Sequence, residues 1–553
     1  MINKIKIVFA IIVILIFGYI IFNSNATAPQ EIVQNTEDII SDELLDKQKD
    51  NIPPPSPIST DKANADVIVK TDNAKKHQAI EGFGATHQTL VYGGSLGDTL
   101  SPSQRSRALD AIFNQVKITT GQIPTVFEAS SNSNISTFFN NQANDNNDPS
   151  NLNWSGFSSV LGDIFKQKVV DVAGSNFNLY PDVRVNLIWK NKWLGDIKSA
   201  DYNIFLDEIA EQVLAGITYW KNTYGVEPIY AMLFNEPLSG NAELGHASTQ
   251  TVVDIIKRSG ARLRQAGFNK VKFVVPGEET EFKSLDTAKA IFADPEARQY
   301  VGVIAYHPYP YLSTYSWPLN ILETSGKGLP DQSRILVRNQ LRDLAKQHGV
   351  KLFMTEVSSG PAAQSKPINP LSYDVFRARA IHIHDEFLYA DASAFFGMNS
   401  MWDAKSQKDH FKGRGFEDDL FASEGDIVLV DNNVADKVYI TGMGYAIGHY
   451  ARFINKGAVR IETTSSDSLV QVTAFRDDVQ KRMVWVVINN NASDKSVKFN
   501  TNAVQLSANL SGEQSTKTAY WRKLPVFAID VSNNFITTLP AESVTTIVGQ
   551  IKK

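Results

Sequence analysis

From Asp66 onward one unit recurs over about 350 residues: a short apolar run, then a stretch of helical period. The apolar runs are Val67–Val69, Ile80–Ala85, Val183–Trp189, Ile229–Phe234, Lys272–Val275, Val301–Tyr306, Lys351–Met354 and Ala394–Met398. Between them lie helical patterns such as Pro102–Val116 behind an N-cap at Ser101, Tyr202–Tyr219, Gln250–Ala266, Asp331–His348 and Phe376–Ala390. Repeated β–α units predict an α/β protein with a parallel sheet. Functional-looking residues recur at the C-terminal ends of the runs, which favours a (β/α)8 TIM barrel over an open doubly wound sheet. No G-x-G-x-x-G opens a helix after the first strand, so a dinucleotide site is not indicated.

After Lys437 the texture changes to short strands at the spacing of a β-sandwich: Val459–Thr463, Leu469–Phe475, Met483–Asn489, Ser496–Phe499, Thr516–Trp521 and Thr545–Val548. The expected domains are a signal peptide or membrane anchor over 1–28, a disordered linker over 29–64, joining strands over 65–79, a barrel over 80–436 and a sandwich over 437–553. Lys4 and Lys6 precede the apolar run Ile7–Phe22, the pattern of an export signal. A cleaved signal and an uncleaved anchor both fit, because flanking Asn, Ser and Ala bring the run towards the ~20 residues of a spanning helix. Residues 29–64 are rich in Asp, Glu, Asn, Ser and Pro, a spacer composition. The protein is expected outside the cell, secreted or held to the outer face of the membrane, and monomeric.

The chain has no cysteine, which excludes disulfides, thiolate metal sites, cysteine nucleophiles and a lipoprotein anchor. Its nine histidines form no H-E-x-x-H pattern, so neither a metal nor another cofactor is expected. The net charge of −5, without a basic block in the body of the chain, argues against a nucleic-acid partner.

Two segments carry the chemistry. Leu233-Phe234-Asn235-Glu236-Pro237 and Met354-Thr355-Glu356-Val357 each set a carboxylate at the end of a buried run. Two such glutamates in one pocket are the equipment of a glycosidase: one protonates the leaving oxygen, and the other attacks the anomeric carbon or activates water. The plainer role for either alone is a solvated strand-end residue. Glu278-Glu279 and Glu281 form an acidic run at another strand end, read as a solvated loop rather than a second catalytic pair, with a substrate contact by Glu278 as the alternative. Trp189, Trp193, Trp402, Tyr306 and Tyr311 are candidates to stack on sugar faces, with core packing the competing role for each. His382 and His384 read as structural.

In these motifs the chain resembles glycoside hydrolase family 30, in the clan of retaining barrel glycosidases, from about Ala65 to the C-terminus. Ile80-Glu81-Gly82-Phe83-Gly84-Ala85 is similar to the opening barrel strand, and His307-Pro308-Tyr309 to a His-x-Tyr after the sixth strand. Tyr445–Ile461 and Leu539–Thr546 are similar to the first and last parts of the sandwich. The resemblance implies Glu236 as acid/base, Glu356 as nucleophile, and carboxyl groups ~5–5.5 Å apart. It implies that Asn235 binds the sugar 2-hydroxyl, that Tyr309 bonds Glu356 and that His307, Trp189 and Trp402 line the pocket. It further implies that Val67–Thr71 pairs with the sandwich. Two departures stand out. Gln122 occupies the place of the family's usual arginine beside the nucleophile, and Trp189-Lys190-Asn191-Lys192-Trp193 lacks the usual Trp-Ser-x-Pro. An amide donates bonds but brings no charge. The competing class is therefore a catalytically impaired barrel that binds glycan.

Overall fold

The computed structural model describes residues 65–86, 100–124, 178–183, 202–238, 248–309, 332–358, 369–403, 425–431 and 437–552, apart from 502, 503 and 531. The expected signal or anchor over 1–28, the linker over 29–64 and residues 184–200, which include Trp189 and Trp193, lie outside these, as does Tyr311. Among the described residues no helix is long and apolar enough to cross a membrane.

The chain enters through β1 (Val67–Ala79) and then builds eight strands that close into a barrel. They are β2 (Gly82–Thr86), β3 (Thr120–Pro124), β4 (Asn178–Asp182), β5 (Tyr230–Met232), β6 (Lys272–Glu278), β7 (Val301–Tyr306), β8 (Lys351–Met354) and β9 (Ala394–Asn399). Every neighbouring pair is parallel, and β9 returns to β2. Strand alternation sorts the core into two layers. Tyr180, Met232, Val274, Val303, Ala305, Phe353, Ala394 and Phe396 form the inner one. Their chain neighbours Ala231, Phe273, Val275, Ile304, Leu352 and Phe395 join the outer layer under the helices. Gly84 is required where β2 meets β3, since a Cβ there would sit 1.8 Å from the Thr120 carbonyl oxygen.

Among the described residues six helices flank the barrel: α1 (Pro102–Asp110), α2 (Tyr202–Tyr224), α3 (Thr249–Gln265), α4 (Glu281–Ala293), α5 (Gln332–His348) and α6 (Tyr373–Tyr389). Ser101 caps α1 in a capping box with Gln104. The expected helix to Val116 instead finishes as a π-helical turn over Ala111–Val116, closed by Lys117 at φ 60°. The third barrel strand also differs from expectation. It is β4, upstream of Val183–Trp189, and it carries Pro181, a residue that speaks against a strand within a sheet.

Beyond the barrel come the short β10 (Met401–Asp403), β11 (Val428–Val430) and β12 (Val438–Ile440), then α7 (Gly442–Ala451). The C-terminal sheet follows, with β13 (Val459–Ser465), β14 (Val470–Asp477), β15 (Arg482–Asn489), β16 (Lys495–Asn500), β17 (Leu506–Thr516), β18 (Ala519–Lys523), β19 (Phe527–Ala528), β20 (Asn534–Leu539) and β21 (Ser543–Ile551). Its order is β18-β17-β21-β15-β14-β13-β1-β16-β20, with β19 on β17. β1 therefore sits inside this sheet, antiparallel to β13 and parallel to β16. Trp485 of β15 packs on Phe535 of β20 at 5.5 Å between ring centroids, although four strands lie between them in the sheet. At ~4.8 Å per strand a flat sheet would hold them more than ~20 Å apart, so the sheet folds over into two layers.

The sandwich is locked to the barrel. Phe475, Val484, Val486, Ile488 and Val544 share a core with Phe83 of the barrel. His449 of α7 is fully buried, with Nδ1 2.9 Å from Thr546 Oγ1 and Nε2 2.8 Å from Ser515 Oγ. Arg460 of β13 donates to Asp391, just past α6, at 2.8 Å, with both side chains buried.

Candidate active site

The barrel strands deliver their C-terminal ends to one mouth. Glu236 lies four residues beyond β5, Glu356 two beyond β8, and His307 directly after β7. A carboxylate oxygen of Glu236, one of Glu356 and a ring nitrogen of His307 all lie within 4.8 Å of one another. Among the described residues these three form the group that could hold a cation. Their nearest atoms are engaged otherwise. His307 Nδ1 is 3.0 Å from Glu236 Oε1, within hydrogen-bond distance. The Tyr309 hydroxyl donates to Glu356 Oε1 at 2.9 Å. Hydrogen bonds of this kind orient carboxylates for proton transfer and nucleophilic attack.

The backbone at the first glutamate is unusual. Glu236 has φ 46°, the left-handed region that non-glycine residues occupy at a cost on the order of 1–3 kcal/mol. Two bonds hold the turn. The Glu236 N–H donates to the Gly277 carbonyl at 2.7 Å, and the Leu238 N–H to Glu278 Oε2 at 3.2 Å. Asn235 is half-buried in the same turn.

The second glutamate is framed by Tyr309 and by the strand beneath it. Burial first, then the negative charges of Glu356 and Glu236, push the Tyr309 hydroxyl well above its usual value, so it remains a donor. The same hydroxyl is 3.3 Å from Ser358 Oγ. Gln122 of β3 is buried at 2% exposure, and its Nε2 donates across the barrel to the Thr355 carbonyl at 2.9 Å. The amide thus bonds the backbone just before Glu356; among the bonds described, none joins it to either carboxylate.

The acidic run is not a solvated loop. Glu278 and Glu281 are both fully buried. Glu278 is the last residue of β6; besides Leu238 it meets Thr287 Oγ1 at 3.2 Å, and its carbonyl accepts from the His307 N–H at 3.0 Å. Burial raises its carboxyl to about 7, with the Glu236 charge adding to the shift and the Leu238, Thr287 and Lys283 contacts opposing it. Glu281 accepts from Arg334 of α5 at 2.5 and 3.2 Å, and Arg334 also donates to the carbonyl of Pro308, between His307 and Tyr309. Sequence reasoning missed both braces. Pro276-Gly277 reads as a turn and hid the continuation of β6 up to Glu278.

Other candidates fall elsewhere. Tyr306 is fully buried on the outer side of the barrel, where its hydroxyl donates to Glu386, so it cannot stack on a sugar. Trp402 is half-buried in β10, and its indole N–H has no partner among the described residues. No described contact joins Trp402 or Asn235 to either glutamate. Trp189 lies outside the described residues.

A closed parallel barrel joined to a folded-over C-terminal sheet is a barrel-and-sandwich architecture. Residues 457–547 match the Glycosyl hydrolase family 30 beta sandwich domain. That match covers most of the C-terminal sheet. The chain is similar to the GH30 endoxylanase from Clostridium papyrosolvens C71, at 17% identity over 88% of this chain and 100% of that one, with a TM-score of 0.59. It is also similar to the catalytic domain of GH30 xylanase C from Talaromyces cellulolyticus, at 17% identity over 87% and 100%, with a TM-score of 0.62. The fold extends further, to the family 51 α-L-arabinofuranosidase AbfB from Bifidobacterium longum, at 12% identity over 88% and 100%, with a TM-score of 0.55. A comparison with curated proteins finds no match.

Proposed function

We propose that the chain is a retaining β-glycoside hydrolase acting on an extracellular glycan or glycoside through a glycosyl–enzyme intermediate. The observation that carries this reading is the approach of Glu236 and Glu356, whose oxygens come within 4.8 Å. Retaining enzymes keep their carboxyl groups ~5–5.5 Å apart, whereas inverting enzymes need ~6.5–9.5 Å to admit a water. Glu356 attacks the anomeric carbon as the glycosidic bond breaks, and Glu236 gives its proton to the leaving oxygen. Glu236 then takes a proton from water, whose oxygen replaces the Glu356 ester and restores both groups. Tyr309 fixes the plane of the nucleophile, His307 holds the proton-carrying oxygen of the acid, and Asn235 meets the sugar 2-hydroxyl. Trp189 and Trp402 offer apolar faces to the sugar.

Several solved relatives are named as xylanases, which puts β-linked plant polysaccharides first among substrates to test. The apolar run Ile7–Phe22 behind Lys4 and Lys6 supports export. A second reading, an impaired barrel that binds glycan, draws on Gln122: its described bond goes to a backbone carbonyl, and its amide brings no charge to Glu356. Turnover separates the two readings. Across a panel of aryl glycosides and polysaccharides, NMR of the first-formed product should show the β-anomer. Inversion would overturn the two-step mechanism, and binding without turnover would favour the second reading.

A further inference from the structure

We propose that Glu278 is a positioning residue for Glu236: its buried carboxyl anchors the left-handed turn that aims the acid at the leaving oxygen. This rests on the acid/base role given to Glu236 above. Three observations support it. The turn at Glu236 is strained, at φ 46°, so it persists only where its surroundings over-determine it. Glu278 supplies part of that constraint from a fully buried site, through Oε2 on the Leu238 N–H at 3.2 Å. Glu278 is itself fixed from α4, where Thr287 Oγ1 holds Oε1 at 3.2 Å and Ser284 Oγ accepts from the Glu278 N–H at 3.2 Å.

The same strand end also sets the histidine. The Glu278 carbonyl accepts from the His307 N–H, and His307 reaches Glu236 Oε1 at 3.0 Å. Glu278 therefore touches the acid's turn with its side chain and the acid's partner with its backbone. An apolar residue of similar size would fill the space but remove the side-chain acceptor of the Leu238 N–H, and the turn would relax away from φ 46°. Displacement of a general acid by about 1 Å is enough to cost ~10²-fold in rate.

The test uses the dependence on leaving group, which a merely structural role would not move. An activated dinitrophenyl glycoside needs no proton at its leaving oxygen, whereas an alkyl glycoside or disaccharide does. Glu278→Ala should lose roughly 30-fold in kcat/KM, which reports the glycosylation step, on the poor leaving group, a fraction of the ~10²–10⁴ a general acid supplies, and less than roughly 3-fold in kcat/KM on the activated one. Glu278→Gln keeps an acceptor oxygen and should restore the poor substrate to within about 5-fold of wild type. If Glu278→Ala does not fold, the isosteric Thr287→Val decides, with the same asymmetry at roughly 3-fold. Equal losses on both substrates, or no loss, would overturn the proposal. Wild-type protein that turns over neither substrate would instead remove the acid/base reading beneath it.

Discussion

The Tyr309 hydroxyl donates to Glu356 Oε1 across 2.9 Å. A phenol that stays protonated stabilises the carboxylate and sets its plane, and both effects are lost in Tyr309→Phe. The variant should keep its fold, lose roughly 10- to 100-fold in kcat/KM, and show an acidic limb of the pH–rate profile moved to higher pH. A pH–rate profile that superimposes on wild type would contradict the assignment.

Gln122 acts on the same strand by another route. Its amide bonds the Thr355 carbonyl at 2.9 Å, so its role is to hold the end of β8. Gln122→Leu should leave that carbonyl unpaired in a buried site, costing about 1–3 kcal/mol in urea denaturation together with a loss in kcat. A direct charge or donor role at Glu356 would instead move the acidic limb of the pH–rate profile with little change in stability.

The Glu278 carboxyl makes stability fall with pH. Its folded value is raised from 4.5 to about 7, so between those values the folded chain holds a proton that the unfolded chain has released. The stabilisation is full below 4.5 and is lost as pH rises through 7, a change on the order of 3 kcal/mol. Glu278→Gln lacks this titration. Its stability relative to wild type should therefore improve as pH is raised from 4.5 to 8, measured by urea unfolding. A difference that stays flat would contradict the burial effect.

The two-domain body should not survive division. β1 is paired on both sides within the C-terminal sheet, and the buried Arg460–Asp391 bond crosses from sheet to barrel. Truncation after Asp436 should give insoluble protein, and Arg460→Leu should cost roughly 3–5 kcal/mol by stranding Asp391. A soluble, folded barrel from the truncation would contradict the shared core.

The barrel was legible because its strands are buried on both faces and read as plain apolar runs, as at Val301–Tyr306 and Lys351–Met354. Strands that break this pattern were harder. β17 runs Leu-Ser-Ala-Asn-Leu-Ser-Gly-Glu-Gln-Ser-Thr and reads as a loop, yet its buried Ser515 is satisfied by His449. β20 buries Thr537 between Phe535 and Leu539, which interrupts its apolar alternation. In the site, the two glutamates stood out because each motif is local, whereas the Tyr309 bond, 47 positions long, was expected only from the family resemblance. Glu278 and Glu281 did not stand out, because their partners Leu238 and Arg334 lie 40 and 53 positions away and only the fold brings them together.

The central claim is that Glu356 forms a covalent bond to the sugar. Incubation with an activated 2-deoxy-2-fluoroglycoside, followed by peptide mass mapping, tests it directly. The account predicts inactivation with one fluoroglycosyl mass added to the peptide containing Glu356, and no label in Glu356→Gln. An active enzyme that gains no label, or gains it on another carboxylate, would contradict it.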